Sequence, residues 1–372
     1  MKKHQITALV CLVAAAAIAI YSGNLFLSLR KPDKIIPGPG VTEVRKLSDY
    51  FSELKGTRGD SDIYILKGAE EGGKVLVLGG THPNEPSGYL SAVIMVEKGK
   101  VSTGEVYVIP RANNSAFTHN DSQEASPLYL HFDNTKGEER AFRFGSRATN
   151  PIDQWPDPDV YEHAASGQQL SGSETRNLNR GYPGRPKGNL TEQMCYAITE
   201  LIKKEDIGLT FDLHEASPEY PVINATVAHE KSMDIAAFGM FELDMIGIKM
   251  QLEPSPVNLH GLTHRELGDY TDTYPLLMET ANASQGRLRG ATNEELALTG
   301  KDKFYVSAQK LGMLYVPYDE NGHPIEERVG RHLQSIQSYV SSYNDFTGET
   351  VVLENLPSYD EMLAGRLGDY LN

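Results

Sequence analysis

This chain of 372 residues has little cysteine and less basic than acidic charge. Its two cysteines are Cys11, inside a long apolar run, and Cys195, in a helical pattern. They do not form a pair, so a disulfide framework is excluded, as is a zinc site built on thiolates. The 35 Lys and Arg against 50 Asp and Glu leave a net charge of −15, which repels phosphates and excludes a nucleic-acid partner. There is no internal repeat, and also no G-x-S-x-G elbow, P-loop or dinucleotide fingerprint. With 40% hydrophobic and 23% charged residues, what remains is an ordinary globular composition.

The N-terminus departs from that average. Lys2 and Lys3 precede an apolar segment, residues 6–29, which Arg30 and Lys31 close. It is long enough to span a bilayer, and it also has the charged and apolar regions of a secretory signal. No clean A-x-A cleavage site precedes the polar residues, so residues 1–30 read as an uncleaved anchor with the bulk of the chain exported. An exported chain without disulfides fits a bacterial cell envelope. A Pro/Gly-rich linker is expected over residues 31–43, and one domain over residues 44–372.

Within that domain a short helix is expected over residues 44–54 and a strand over 62–67. A buried strand at 75–78, a helix from residue 86 or 87 to about 97, and a strand at 105–110 make a βαβ unit of a parallel or mixed sheet. From about 112 to 188 the pattern fails in favour of Gly, Pro, Asn and Ser. So long an irregular region is uncommon and usually functional, and it is read as an insertion walling a cleft. Helices are expected at 190–204, 230–242, 302–311 and 326–342, and strands at 208–214, 221–226, 247–252 and 275–279.

The chain is organised around Lys74-Val-Leu-Val-Leu-Gly-Gly-Thr-His-Pro-Asn-Glu85. A buried strand and a glycine turn put His82 and Glu85 at the carboxyl end of the sheet, where open α/β sheets place ligands. An imidazole and a carboxylate make half of a zinc site. The spacing alone is weak, since His323-Pro-Ile-Glu326 repeats it at a turn and helix start with no buried strand before it. His214, ending the strand Gly-Leu-Thr-Phe-Asp-Leu-His214, is the natural third ligand, and Asp212 on the same strand can orient it. Three protein ligands leave a position for water, which is the catalytic arrangement of zinc. Glu279 ends another apolar strand, where a carboxylate is costly unless it meets a polar cavity, and is the candidate general base. Asn179 and Arg180 suit recognition of a carboxylate.

Taken in order, His82-x-x-Glu85, Leu-Asn-Arg180 with a following Tyr-Pro, Asp-Leu-His214 and Glu279 resemble the zinc carboxypeptidase superfamily, in particular its succinylglutamate desuccinylase/aspartoacylase branch. The resemblance implies an α/β fold with a mixed, mainly parallel central sheet and helices on both faces. It implies one zinc per chain on His82, Glu85 and His214, with Glu279 activating water and Asn179 and Arg180 holding the substrate's carboxylate. It also implies an arginine that polarises the scissile carbonyl. Arg111, Arg143, Arg147 and Arg176 lie in the right interval, and Arg176 is the one named here. The family's Asp-Leu-Asn-Arg stands as Asn177-Leu-Asn-Arg180, and the insertion is longer and more polar than the branch leads one to expect. The expected activity is hydrolysis of an amide bond beside a free carboxylate, in a peptide or an acylated amino acid. The rival is a non-catalytic envelope binding protein that keeps the fold.

Overall fold

A computed structural model describes residues 2–121 and 126–372; residues 122–125, within the expected insertion, lie outside the described ones. The strands are β1 (Val41–Lys46), β2 (Asp62–Lys67), β3 (Glu70–Leu78), β4 (Lys100–Ile109), β5 (Tyr129–Asp133), β6 (Glu139–Arg143), β7 (Val160–Glu162), β8 (Gln169–Ser171), β9 (Leu209–Ala216), β10 (Ala225–Ala228), β11 (Gln251–Pro254), β12 (Tyr274–Ala281) and β13 (Val352–Glu354). The helices are α1 (Lys3–Ser28), α2 (Pro86–Lys98), α3 (Leu190–Glu205), α4 (Met233–Met245), α5 (Thr263–Tyr270), α6 (Glu294–Thr299), α7 (Lys303–Lys310), α8 (Ile325–Thr347) and α9 (Tyr359–Ala364).

The main sheet runs β1-β2-β4-β3-β9-β12-β10-β11, with β13 added along the start of β4. Its centre, β4-β3-β9-β12, is parallel, and antiparallel pairs flank it. The run at residues 75–78 shows why these residues make a central strand. Val75 and Val77 join an apolar cluster with α2, α4 and α8, whereas Leu76 and Leu78 join one with α3 on the opposite face. Both faces are covered, so the strand is apolar without alternation. The mixed α/β sheet with helices on both faces is as expected.

Two expectations differ in detail. Residues 44–54 are not a helix: the edge strand β1 pairs antiparallel with β2, and two 3-10 turns, Leu47–Asp49 and Ser52–Leu54, follow. A short isolated helix has little to hold it, and an open sheet edge offers a full ladder of hydrogen bonds. The segment expected as a linker is packed instead of free. Gly38 donates its backbone N–H to Val96, Ile36 donates to Glu97, and Asp33 lies buried against Arg111. Ahead of it, α1 is long and apolar enough to cross a membrane, and none of it is buried in the protein. Among its described residues the insertion holds two small hairpins, β5-β6 and β7-β8, and 3-10 turns.

The approach of α2 to the sheet depends on Gly88, on the first turn of the helix. A Cβ there would meet the carbonyl oxygen of Leu213 at 2.3 Å. Gly88→Ala should therefore push α2 from β9 and lower stability by about 1–3 kcal/mol, as overpacking does. Chemical denaturation of the variant beside the wild type checks this.

Candidate metal centre

The turn after β3 carries His82, and Glu85 stands immediately before the first residue of α2. His214 comes from the end of β9, next to Leu213, the neighbour of Gly88. Their side chains converge. Nδ1 of His82 lies 2.9 Å from Glu85 Oε1, Nδ1 of His214 lies 2.8 Å from Glu85 Oε2, and the two Nδ1 atoms are 3.1 Å apart. All three residues are 2% exposed, so this concentration of donor atoms is dry. Groups that share one small volume with so few protons fit a cation, and two imidazoles with a carboxylate are a zinc donor set.

The remaining nitrogens are held from outside. His82 Nε2 lies 2.8 Å from Asn177 Oδ1. His214 Nε2 lies 2.9 Å from Asp212 Oδ2, close enough to pair in charge although its ring N–H is not aligned for a hydrogen bond. Asp212 is itself fixed by the hydroxyls of Thr81 and Thr263.

The electrostatics follow from this crowding. Burial, helped by the positive Arg147, lowers the His82 pKa to about 4, leaving a neutral imidazole suited to bind a metal. Burial works against the charge on His214, but the Asp212 and Glu85 carboxylates outweigh it and raise its pKa. Glu279 sits opposite His214 in the parallel register of β12 with β9. Burial raises its pKa to about 8, with Glu85 and Asp212 adding to the rise and His214 and Arg147 opposing it. Its side chain keeps some opening to the site, whereas its Oε2 is enclosed and has no hydrogen-bond partner among the described residues.

The four arginines sort by what they touch. Arg143 donates to backbone oxygens of Phe117 and Leu128, and Arg111 stacks over the Phe117 ring. Arg176, the residue expected at the scissile carbonyl, spends its fork on Asp157, at 2.7 and 2.9 Å, and on the Thr149 carbonyl. That expectation is corrected: Arg147 is the arginine at the cluster, with Nη1 3.2 Å from Glu85 Oε1 and 3.3 Å from His82 Nδ1. It gets there because Gly145, at φ +74°, lets the insertion pass over Pro83, whose Cβ a side chain would meet at 2.3 Å. Nothing in the local sequence separates Arg147 from Arg143. Arg180 is mostly enclosed, with Nε 3.7 Å from Glu174, and burial lowers its pKa with Arg147 adding to the effect. Asn179 has its amide oxygen committed to Thr263, so it braces the turn that carries Arg180. The second His-x-x-Glu copy is spent elsewhere: His323 pairs with Glu327, and Glu326 accepts from Leu367.

A polar cavity of about 320 Å³ adjoins the cluster, lined by His119, Arg147, Glu174, Arg176 and Asn177 among others. A larger one of about 1020 Å³ lies on the far side of Arg111, toward Arg45 and Asp62, and shares none of the cluster's residues. The converging donors belong to the cluster and not to the larger hollow. About one zinc per chain is expected in protein from residue 34 onward. His82→Ala/His214→Ala should lose it, as elemental analysis will read.

No family model matches the chain, and no curated protein does. Solved structures do resemble it. The product-bound ectoine utilization protein from Ruegeria pomeroyi aligns at 17% identity with a TM-score of 0.38, covering 61% of this chain and 55% of that one. A succinylglutamate desuccinylase/aspartoacylase from Rhodobacter sphaeroides aligns at 14% identity and TM-score 0.40, covering 78% and 60%. A metallo-carboxypeptidase from Burkholderia cenocepacia aligns at 12% identity and TM-score 0.47, covering 87% and 68%. The chain thus spans less than two thirds of the length of the first two. Its structural neighbours are of the metallo-carboxypeptidase and succinylglutamate desuccinylase/aspartoacylase kind.

Proposed function

We propose that this chain is a zinc-dependent hydrolase of an amide bond beside a free carboxylate, held at a membrane by α1. Its domain would extend over residues 44–372, on the outer side of a bacterial cell envelope. The observation that carries the reading is the register of β12 with β9, which sets the unpartnered carboxylate of Glu279 beside three converging donors. A carboxylate in that position is costly to bury, and water chemistry gives it a use.

His82, Glu85 and His214 would hold the metal, which would supply Lewis acidity and lower the pKa of water. Glu279 takes the proton from the attacking water and passes it to the leaving amine. A carboxyl group whose pKa burial raises well above the ordinary carboxylate range holds a proton firmly enough to pass it on to the leaving amine. Arg147 faces the carbonyl oxygen, where its fixed positive charge stabilises the negative charge that develops in the transition state. Arg180, on its braced turn, docks the substrate's carboxylate through its planar fork. Asp212 keeps His214 in orientation. The substrate is a small molecule or peptide with a free carboxylate, and the same residues serve a carboxypeptidase or an N-acyl amino acid deacylase.

Two substitutions test the assignment on a panel of peptides and N-acyl amino acids. Glu279→Gln should reduce kcat by at least about 100-fold, in the range general acid–base catalysis supplies, while zinc content stays at the wild-type level. Unchanged turnover in that variant would sink the hydrolase reading. Arg147→Met should lower kcat by about 100-fold or more with little change in KM, as expected for a group that acts on the transition state. A rise in KM alone would reassign Arg147 to ground-state binding.

A further inference from the structure

We propose that the turn around Ile152 and Trp155 in the insertion is a membrane-docking element, seated in the headgroup layer of the bilayer that α1 enters. The inference rests on the anchor reading of α1 above, and its test separates the two. Trp155 is the one tryptophan of the chain and is 73% exposed, and Ile152 is 79% exposed. The two residues between them face inward. Asp153 accepts from Ser115 Oγ at 2.6 Å, while the Gln154 amide joins the Thr175 carbonyl at 2.9 Å and the Thr191 hydroxyl at 2.8 Å. Asn150 closes the turn by accepting the backbone N–H groups of Ile152, Asp153 and Gln154. The apolar pair is thus held outward by a tied turn. Val160, also exposed, lines the same small hollow as Trp155 and widens the patch. Exposed apolar residues scattered singly carry no message, but a cluster of them marks a contact surface.

The tie between this turn and α1 says what covers the patch. Arg30, just past the end of α1, pairs with Asp153 at 2.7 Å, and its carbonyl accepts from Arg58 at 3.1 Å. Leu29, between Arg30 and the helix, is buried, so the end of α1 is seated on the domain. The 26 residues of α1 make a helix of about 39 Å at 1.5 Å per residue, against a hydrocarbon core of about 30 Å. The end of α1 therefore stands among the headgroups, and the Asp153 pair brings Ile152 and Trp155 to the same level. Tryptophan favours that layer, where its ring is in an apolar medium and its N–H meets water. Pro151, the next residue back, lines the polar cavity beside the metal cluster. Docking the turn thus also sets the mouth of the cleft against the bilayer surface.

A single tryptophan makes the contact readable in the full chain. In phosphatidylcholine vesicles, Trp155 emission should lie to the blue of an indole in water. Lipid brominated near the headgroup end of its acyl chains should quench it more than lipid brominated near the chain ends. Iodide supplied on both sides of the bilayer should reach it poorly. Ile152→Asp keeps the probe and changes a residue whose side chain the fold leaves outside. It should lose the bromine quenching and restore iodide access. Resistance of the protein to alkaline extraction from the vesicles reads α1 alone. Extraction-resistant protein whose Trp155 is open to iodide and untouched by bromine would overturn the docking and leave the anchor standing. Unchanged quenching in Ile152→Asp would overturn the docking as well. Protein that alkali strips from the vesicles, but whose Trp155 is quenched before extraction, would overturn the anchor and leave the docking standing. Protein that is stripped and never quenched would overturn both.

Discussion

Glu85, Asp212 and Glu279 are gathered near two imidazoles, and Glu85, Asp212 and both histidines are buried. At an effective dielectric of about 20, two like charges 4 Å apart repel by about 4 kcal/mol, so the group cannot hold itself together. It is held by the sheet. Glu85 is set by α2 pressed onto β9, Asp212 and His214 by β9, and Glu279 by β12 beside it. Arg147 and the hydroxyls of Thr81 and Thr263 offset part of the charge. A dication bound by His82, Glu85 and His214 would offset much more of it.

The side of the cluster away from the cleft is fastened as firmly. Glu215, next to His214, forms a fully buried ion pair with Arg328 of α8 at 2.6 Å, and Asn282 donates to its other oxygen. The backbone N–H of the same residue donates to Glu85. A pair of this kind adds little net stability, but breaking it leaves a buried charge that costs about 3–5 kcal/mol. The end of β9 is thereby locked between α2 and α8, which suits a site where small displacements of ligands matter.

The parts that were legible in the sequence are those that rest on strands. The run before Gly79 reads as buried because both its faces are covered, and Asp-Leu-His214 reads the same way. His82, Glu85, His214 and Glu279 follow from being placed at such strand ends, and Asp212 from the two-residue period of β9. The insertion was illegible in detail because turns and short hairpins have no period. Four arginines in an aperiodic stretch differ only in where the chain takes them, so Arg147 at the cluster and Arg176 at Asp157 are not told apart by local sequence. The pairing of residues 41–46 with β2 was missed for a related reason. A short amphipathic run takes its conformation from its neighbours.

The sequence by itself determined the class of the fold, the donor types and the order in which they occur, because burial periodicity and side-chain chemistry are local properties. It determined the apolar N-terminal helix for the same reason. Only the tertiary structure decided which nitrogen of each histidine faces the centre and which arginine joins it. Those choices depend on distances between segments as much as 132 residues apart in the chain, such as His82 and His214. No local pattern carries such distances, since they are set by the register of strands and the path of the insertion across Pro83.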